Sequence, residues 1–387
     1  MAAQQALIAD PQPTLPFEEV LWEDPDYLSR QLITYIGNKR ALLEPIQAAL
    51  DDVCTRLGKD RLHILDAFSG SGVVSRMFKR YAHHLVANDI EDYARVIGTC
   101  YLTNRSDFPE TDIRGIVDRL NREVSTRTDF PEGFIERLYA PRDDGCIVSG
   151  ERVFYTRDNA RRLDAYRLLI ESEPVDVQPW LLGPMLSAAS VHANTAGVFK
   201  GFYKDCVSGV GRFGGSGSDA LSRILGRIDL QVPILSRYDC GSTVYQMDAN
   251  ELVSMAGEFD LAYFDPPYNQ HPYGSNYFML NLIVNYVAPS EISRVSGIPT
   301  DWRRSPYNSR SKSLTQMRSL ISGVDTSFVL LSYNDEGFIP IEEMRRLLEG
   351  IGSVEELEIK YATFRGSRNL RNRSAHVTEH LFLVDKR

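Results

Sequence analysis

The stretch of this 387-residue chain best equipped for chemistry is Asp265-Pro-Pro-Tyr268. The run ahead of it, Leu261-Ala-Tyr-Phe264, is apolar throughout and reads as a buried strand. Two prolines cannot continue a central strand, because each lacks a ladder N–H and fixes its own φ; the chain must turn stiffly at the strand's carboxyl end. In open α/β sheets ligands bind at that end. The turn presents a carboxylate (Asp265), a carbonyl with no competing N–H beside it (Pro266) and a flat ring (Tyr268). Such a set suits a planar amino compound, held by its NH2 group and by its face.

Two earlier stretches supply what could lie opposite that amine. In Tyr35-Ile-Gly-Asn-Lys39 a polar turn precedes apolar residues at Leu42, Leu43, Ile46, Ala49 and Leu50, whose spacing predicts a helix over 40–50. The turn aims backbone N–H groups and a cation at one place, which favours an anionic ligand. His63 to Asp66 then reads as a strand running into the glycine-rich turn Ala67-Phe-Ser-Gly-Ser-Gly72, with a helix over 73–81. Leu85 to Asp89 is a second strand ending in an acid, with a helix over about 91–102. Strand, glycine turn, helix, strand and acid in that order indicate a nucleotide site. The glycines let the backbone approach a ligand, and Asp89 can accept both hydroxyls of a ribose; its alternative role is to cap the helix after it.

Thr243 to Asp248 is a third strand ending in an acid, and Asp248 is likewise able to cap a turn beginning at Ala249. A helix over 276–286, a strand over 328–333, a helix over 341–348 and two strands, 355–364 and 377–384, complete the pattern. Between about 105 and 235 it is irregular: mixed charge to Arg152, helices over 159–172 and around 180–192, then Gly209 to Ser218, whose glycine and serine density reads as a mobile loop. Arg212 and Phe213 inside it are placed to touch a partner. The fold class is α/β, a Rossmann-like, mostly parallel sheet with a C-terminal antiparallel hairpin, interrupted by an insertion. The divisions are an N-terminal tail, 1–24; one domain from 25–104 and 236–387; and the insertion, 105–235.

Composition sets the outer bounds. Hydrophobic residues at 43% and charged residues at 25% are ordinary globular values, so a folded chain is the default. The five cysteines, Cys54, Cys100, Cys146, Cys206 and Cys240, are scattered and never form C-x-x-C, which argues against a disulfide framework and a zinc site. No leader pattern and no run of roughly 20 apolar residues is present, so the expectation is a cytoplasmic protein with no membrane partner. A net charge of −9 speaks against a general polyanion binder, but two stretches break the average. Arg303, Arg304, Arg310, Lys312 and Arg318 form one, and Lys360, Arg365, Arg368, Arg371 and Arg373 the other, each without an intervening acid.

Tyr35-Ile-Gly-Asn-Lys39, Asp66-Ala-Phe-Ser-Gly-Ser-Gly72 and Asp265-Pro-Pro-Tyr268, in that order, resemble the Dam-like alpha group of S-adenosylmethionine-dependent DNA adenine-N6 methyltransferases. Asn194-Thr-Ala-Gly-Val198, Asn269 with Asn276-Tyr277, Leu331-Ser-Tyr-Asn-Asp335 and Phe364-Arg-Gly-Ser-Arg-Asn369 resemble FokI-type modification enzymes. The resemblance implies that Tyr35 and Lys39 hold the methionine end of the cofactor, that Asp66, Phe68, Gly70 and Gly72 belong to the turn beneath it, and that Asp89 takes the ribose. Asp248 would reach the cofactor's adenine. Asp265, Pro266 and Tyr268 would act on an adenine flipped out of duplex DNA, with Tyr277 or Phe278 closing its other face or simply serving as helix core. No metal is implied, the insertion would be the target-recognition domain, and a separate restriction endonuclease acting on the same site is a candidate partner. The quartet by itself also suits an RNA-adenine or protein-glutamine methyltransferase, and the glycine turn by itself a nicotinamide enzyme or a non-catalytic regulator.

Overall fold

A computed structural model describes residues 23–215, 220–362 and 376–387. Phe364–Asn369, the basic residues Arg365, Arg368, Arg371 and Arg373, and most of the N-terminal tail lie outside the described residues. The strands are β1 (Leu62–Asp66), β2 (Ala82–Asn88), β3 (Gly241–Tyr245), β4 (Phe259–Phe264), β5 (Thr326–Asn334), β6 (Ser353–Ala362) and β7 (His376–Asp385). They form one sheet in the order β3-β2-β1-β4-β5-β7-β6. The first five are parallel, and β7 runs antiparallel to both β5 and β6. The expected mostly parallel sheet with its hairpin is present, with β7 inside the sheet and β6 at the edge. From β1 the chain steps outward to β2 and β3, then returns to β4 on the other side. The carboxyl ends of β1 and β4 therefore flank the point where strand order reverses, which is where such sheets open a crevice.

Along the chain, α1 (Pro25–Ser29) sends the Tyr27 hydroxyl to the Tyr101 carbonyl at 2.7 Å. Next, α2 (Leu43–Leu57) buries Ile46, Leu50 and Val53, a spacing of four and three that puts them on one face. Burying a leucine such as Leu50 completely contributes about 1.5–3 kcal/mol. With α3 (Val73–Phe78) this helix covers the sheet face carrying Ile64, Leu85, Leu261 and Tyr263. The alternate residues of the same strands, Leu65, Val86, Ala262 and Phe264, face α10 (Ala249–Met255), α13 (Ser313–Gly323) and α14 (Ile341–Glu349). All six residues of β4 are buried, as a strand covered on both faces requires.

The third core holds α4 (Asp92–Tyr101) together with helices from residues 105–235: α5 (Glu110–Thr126), α6 (Phe134–Tyr139), α7 (Arg157–Glu171) and α8 (Gln178–Val191). A short α9 (Leu221–Leu225) comes after them. The expected helices near 159–172 and 180–192 are α7 and α8, whereas α5 and α6 correct the irregular reading of 105–152. In α5 the buried Ile113, Val117 and Leu120 sit at helical spacing amid many charges, and those charges obscured the period. The glycine-rich stretch is hydrogen-bonded as far as Gly215. Buried Asn194 donates to the Arg212 carbonyl at 2.9 Å and accepts from the Gly214 N–H at 3.0 Å, while Arg212 closes on the Gly215 carbonyl and Phe213 packs on the core. Last, the helix expected over 276–286 is two, α11 (Tyr273–Asn276) and α12 (Phe278–Asn285), interrupted where Tyr277 adopts φ −122° and ψ 22°. No helix among the described residues is long and apolar enough to cross a membrane.

Candidate active site

Where β4 ends, the Asp265 side chain is 18% exposed, and that exposure is to a cleft it lines together with Pro267. Burial pushes its pKa up to about 7; the Lys39 ammonium opposes the rise and Glu379 adds to it. Lys39 is itself buried, its Nζ 3.0 Å from Asp265 and 2.9 Å from Glu379 on β7. Burial alone would lower the lysine's pKa, but the two carboxylates reverse this and hold it well above its ordinary value. The same ammonium lies 5.8 Å from the centroid of the Tyr268 ring, so ring and carboxylate flank one cation. The Phe338 N–H donates to the Tyr268 carbonyl at 2.8 Å, and the ring meets Tyr333 edge-on at 5.9 Å. Pro266 and Tyr268 complete the turn without lining the cleft.

The Tyr35–Lys39 stretch is clamped to the chain just beyond the quartet. Tyr277 accepts the Ile36 N–H at 2.7 Å, and the Tyr273 hydroxyl donates to the Ile36 carbonyl at 3.2 Å. The Tyr35 ring stacks on both of those tyrosines, at 5.0 and 4.8 Å, and they stack on each other at 6.0 Å. A Cβ on Gly37, whose φ is +70°, would meet the hydroxyls of Tyr268 and Tyr273 at 3.4 Å. Tyr277 and Phe278 are therefore core, 0% and 2% exposed, in agreement with the helix-core alternative for both.

The cleft's other wall comes from the ends of β1, β2 and β3. Gly70 has φ +49°, and a Cβ there would sit 2.8 Å from the Tyr35 hydroxyl; only glycine allows the turn and the ring to meet. Its N–H donates to Asp89 at 2.9 Å, and the other Asp89 oxygen accepts the Glu91 N–H at 2.9 Å. Burial raises the Asp89 pKa against the pull of these N–H groups. Asp248 caps α10 by accepting the Asn250 N–H at 2.8 Å and also lines the cleft. Phe68 lines it too, edge-on to Tyr307 at 5.4 Å. Asp66 does not reach it. This side chain is buried against α3, accepts the Ser75 hydroxyl at 2.5 Å, and is pushed up to about 7 by burial.

Sequence reasoning overlooked Glu91, Glu379 and Tyr307. Glu91 is buried in the cleft wall, receives Asn281 Nδ2 at 2.6 Å, and is raised by burial to about 7. A second acid two residues beyond Asp89 was the available signal; nothing local marked Glu379, which lies far away in the chain. The first basic stretch divides. Both arginines at its start are exposed, but Arg303 chelates Asp92, whereas Arg304 sets its guanidinium 4.3 Å from the centroid of the Trp302 ring. Arg304 and Lys312 line a recess that shares Ser305 and Asn308 with the cleft.

A sheet of this order, with β7 between β5 and β6 and the Asp-Pro-Pro-Tyr turn at the end of β4, defines a methyltransferase. The chain belongs to the family of D12 class N6 adenine-specific DNA methyltransferases, which it matches over residues 35–208 and 232–347. It is similar to the Type II methyltransferase M.NlaIII of Neisseria lactamica, 29% identical over 364 residues that cover 92% of this chain and 99% of that protein. Similarity to the Type II methyltransferase M.CviAII of Paramecium bursaria Chlorella virus 1 is 28%, covering 91% and 98%. To the Type II methyltransferase M.FokI of Planomicrobium okeanokoites it is 26%, over 91% of this chain and 52% of that protein, so the chain spans about half the length of M.FokI.

Proposed function

We propose that the protein transfers a methyl group from S-adenosylmethionine to N6 of an adenine swung out of duplex DNA, with Asp265 as its central catalytic residue. The observation carrying this is that the Asp265 carboxylate, backed by Lys39, opens onto the same cleft as Asp89, Glu91 and Asp248. The cleft's donor set suits the cofactor: two carboxylates for ribose hydroxyls, a third for an adenine amino group, and Phe68 with Tyr307 as aromatic walls. When bound, S-adenosylmethionine supplies an electrophilic methyl group on sulfur.

The protein's task is to make N6 nucleophilic. That nitrogen's lone pair is conjugated into the purine, and hydrogen bonds from its two protons to the Asp265 carboxylate and the Pro266 carbonyl favour the localised pair. Both bonds strengthen as positive charge develops on nitrogen. With a pKa near 7, Asp265 is also suited to take the proton that the methylated nitrogen sheds. Tyr268 gives the extruded base a face to stack on. Lys39 is a partner of Asp265 in this scheme, in addition to the cofactor contact that the resemblance implies for it.

Residues 25–104 and 236–387 act as the catalytic domain, and 105–235 as the target-recognition part, with Arg304 and Lys312 gripping phosphates beside the cleft. The Type II and modification names of the relatives support a place in a restriction-modification system with a separate endonuclease. Incubation with labelled S-adenosylmethionine and host genomic DNA, and then sequencing for modified adenine, tests the reading. N6-methyladenine at one repeated site is expected, and label on RNA or protein in preference to DNA would refute it.

A further inference from the structure

Glu379 is a carboxylate in the middle of a central strand, completely buried. A charge so placed is costly unless paired, and an apolar residue would serve the sheet better. Its pairing is specific: the Ser332 hydroxyl donates to Oε1 at 2.5 Å from neighbouring β5, and Lys39 Nζ lies 2.9 Å from the same oxygen. Lys39 Nζ is also 3.0 Å from Asp265, so one ammonium is shared by two carboxylates on different strands.

A lysine beside Asp265 poses an electrostatic problem that Glu379 solves. An Asp265–Lys39 pair alone is neutral and places a cation beside a nitrogen that itself becomes positive during transfer. We propose that Glu379 is a positioning residue for methyl transfer: it holds Lys39 against Asp265 and cancels the lysine's charge, so the three groups together face the reacting nitrogen with one net negative charge. This rests on the adenine-N6 reading above and deepens it.

The described groups that act on Asp265 or face it are Lys39, Glu379, Asp66, Tyr263 and Tyr273, with Tyr268 beside Lys39. Glu379 repels the charge on Asp265, so removing its charge moves the titration of Asp265 to lower pH. In Glu379→Gln, kcat falls about 10- to 100-fold, KM for DNA stays within about twofold, and the midpoint of the kcat–pH profile moves down. In Lys39→Met, adding Glu379→Gln costs no further activity, since the effect passes through the lysine. Ser332→Ala keeps the charge but loosens the carboxylate; kcat drops several-fold with the midpoint in place, and this variant decides the matter if Glu379→Gln does not fold. Wild-type kcat and pH profile in a folded Glu379→Gln, or in Ser332→Ala where the first is insoluble, overturns the proposal. A wild-type protein that never methylates DNA adenine fails the functional reading instead, before any variant is compared.

Discussion

Buried carboxylates occur in two regions of this molecule and behave differently in each. In the insertion, Asp164 accepts the N–H groups of Ile135 and Glu136 at 3.2 and 2.8 Å and the Tyr286 hydroxyl at 2.8 Å; it pins the start of α6 and the end of α12 to α7. Burial raises its pKa to about 6, much as burial raises Asp265 to about 7. The difference is what remains available. Asp164 is 1% exposed and faces only protein donors, while Asp265 keeps an open face toward the cleft and is balanced by a cation that it shares with Glu379. A displaced pKa therefore marks burial in both places, and only the unspent acceptor marks a site.

Four experiments probe that contrast. Asp265→Ala should leave a folded protein whose transfer to DNA is reduced at least about 1,000-fold, read by label incorporation; robust transfer would remove Asp265 from the mechanism. The wild-type profile comes next. Ionised Asp265 is the stronger acceptor for N6 and the only form able to take up its proton, and its folded pKa is raised to about 7, so single-turnover rates should climb about tenfold per pH unit below 7 and flatten above it. A flat profile from pH 5 to 8 would mean that this carboxylate does not limit the reaction.

The converse test falls on the insertion. Asp164→Ala strips two N–H groups and a hydroxyl of their acceptor and should lower stability by about 2 kcal/mol, seen in denaturant titration, with kcat for the folded fraction unchanged. A large kcat loss at full stability would erase the distinction between the regions. Asp248 both caps α10 and lines the cleft. Asp248→Asn preserves a capping oxygen, so the melting temperature should hold while affinity for S-adenosylmethionine weakens about tenfold; unchanged calorimetric affinity would leave Asp248 as a cap alone.

Much of the fold was legible because its signals are local. The apolar run closed by two prolines marked β4, and the glycine turn between strand and helix marked β1 and α3. Within residues 105–152, α5 was hidden because dense charge weakens the apolar period, and no local signal marked the break at Tyr277, whose ring stacks on Tyr35 far upstream. Charge alone grouped Arg303 with its basic neighbours; Asp92, which pairs with it, sits on α4.

By itself the sequence determined which side chains turn up just beyond the strands: Asp89 and Asp265 directly after β2 and β4, and Asp248 three residues past β3, are fixed there by strand period and breakers, which act over a few residues. Tertiary structure alone decided which of the acids meet. Strand order put β4 beside β1, and β7 beside β5, thereby bringing Asp265 and Glu379 around the Lys39 ammonium, while Asp66 turns toward Ser75. The two Lys39 pairings depend on packing between segments hundreds of residues apart, and an electrostatic contact of about 3 Å leaves no periodicity in the chain that makes it.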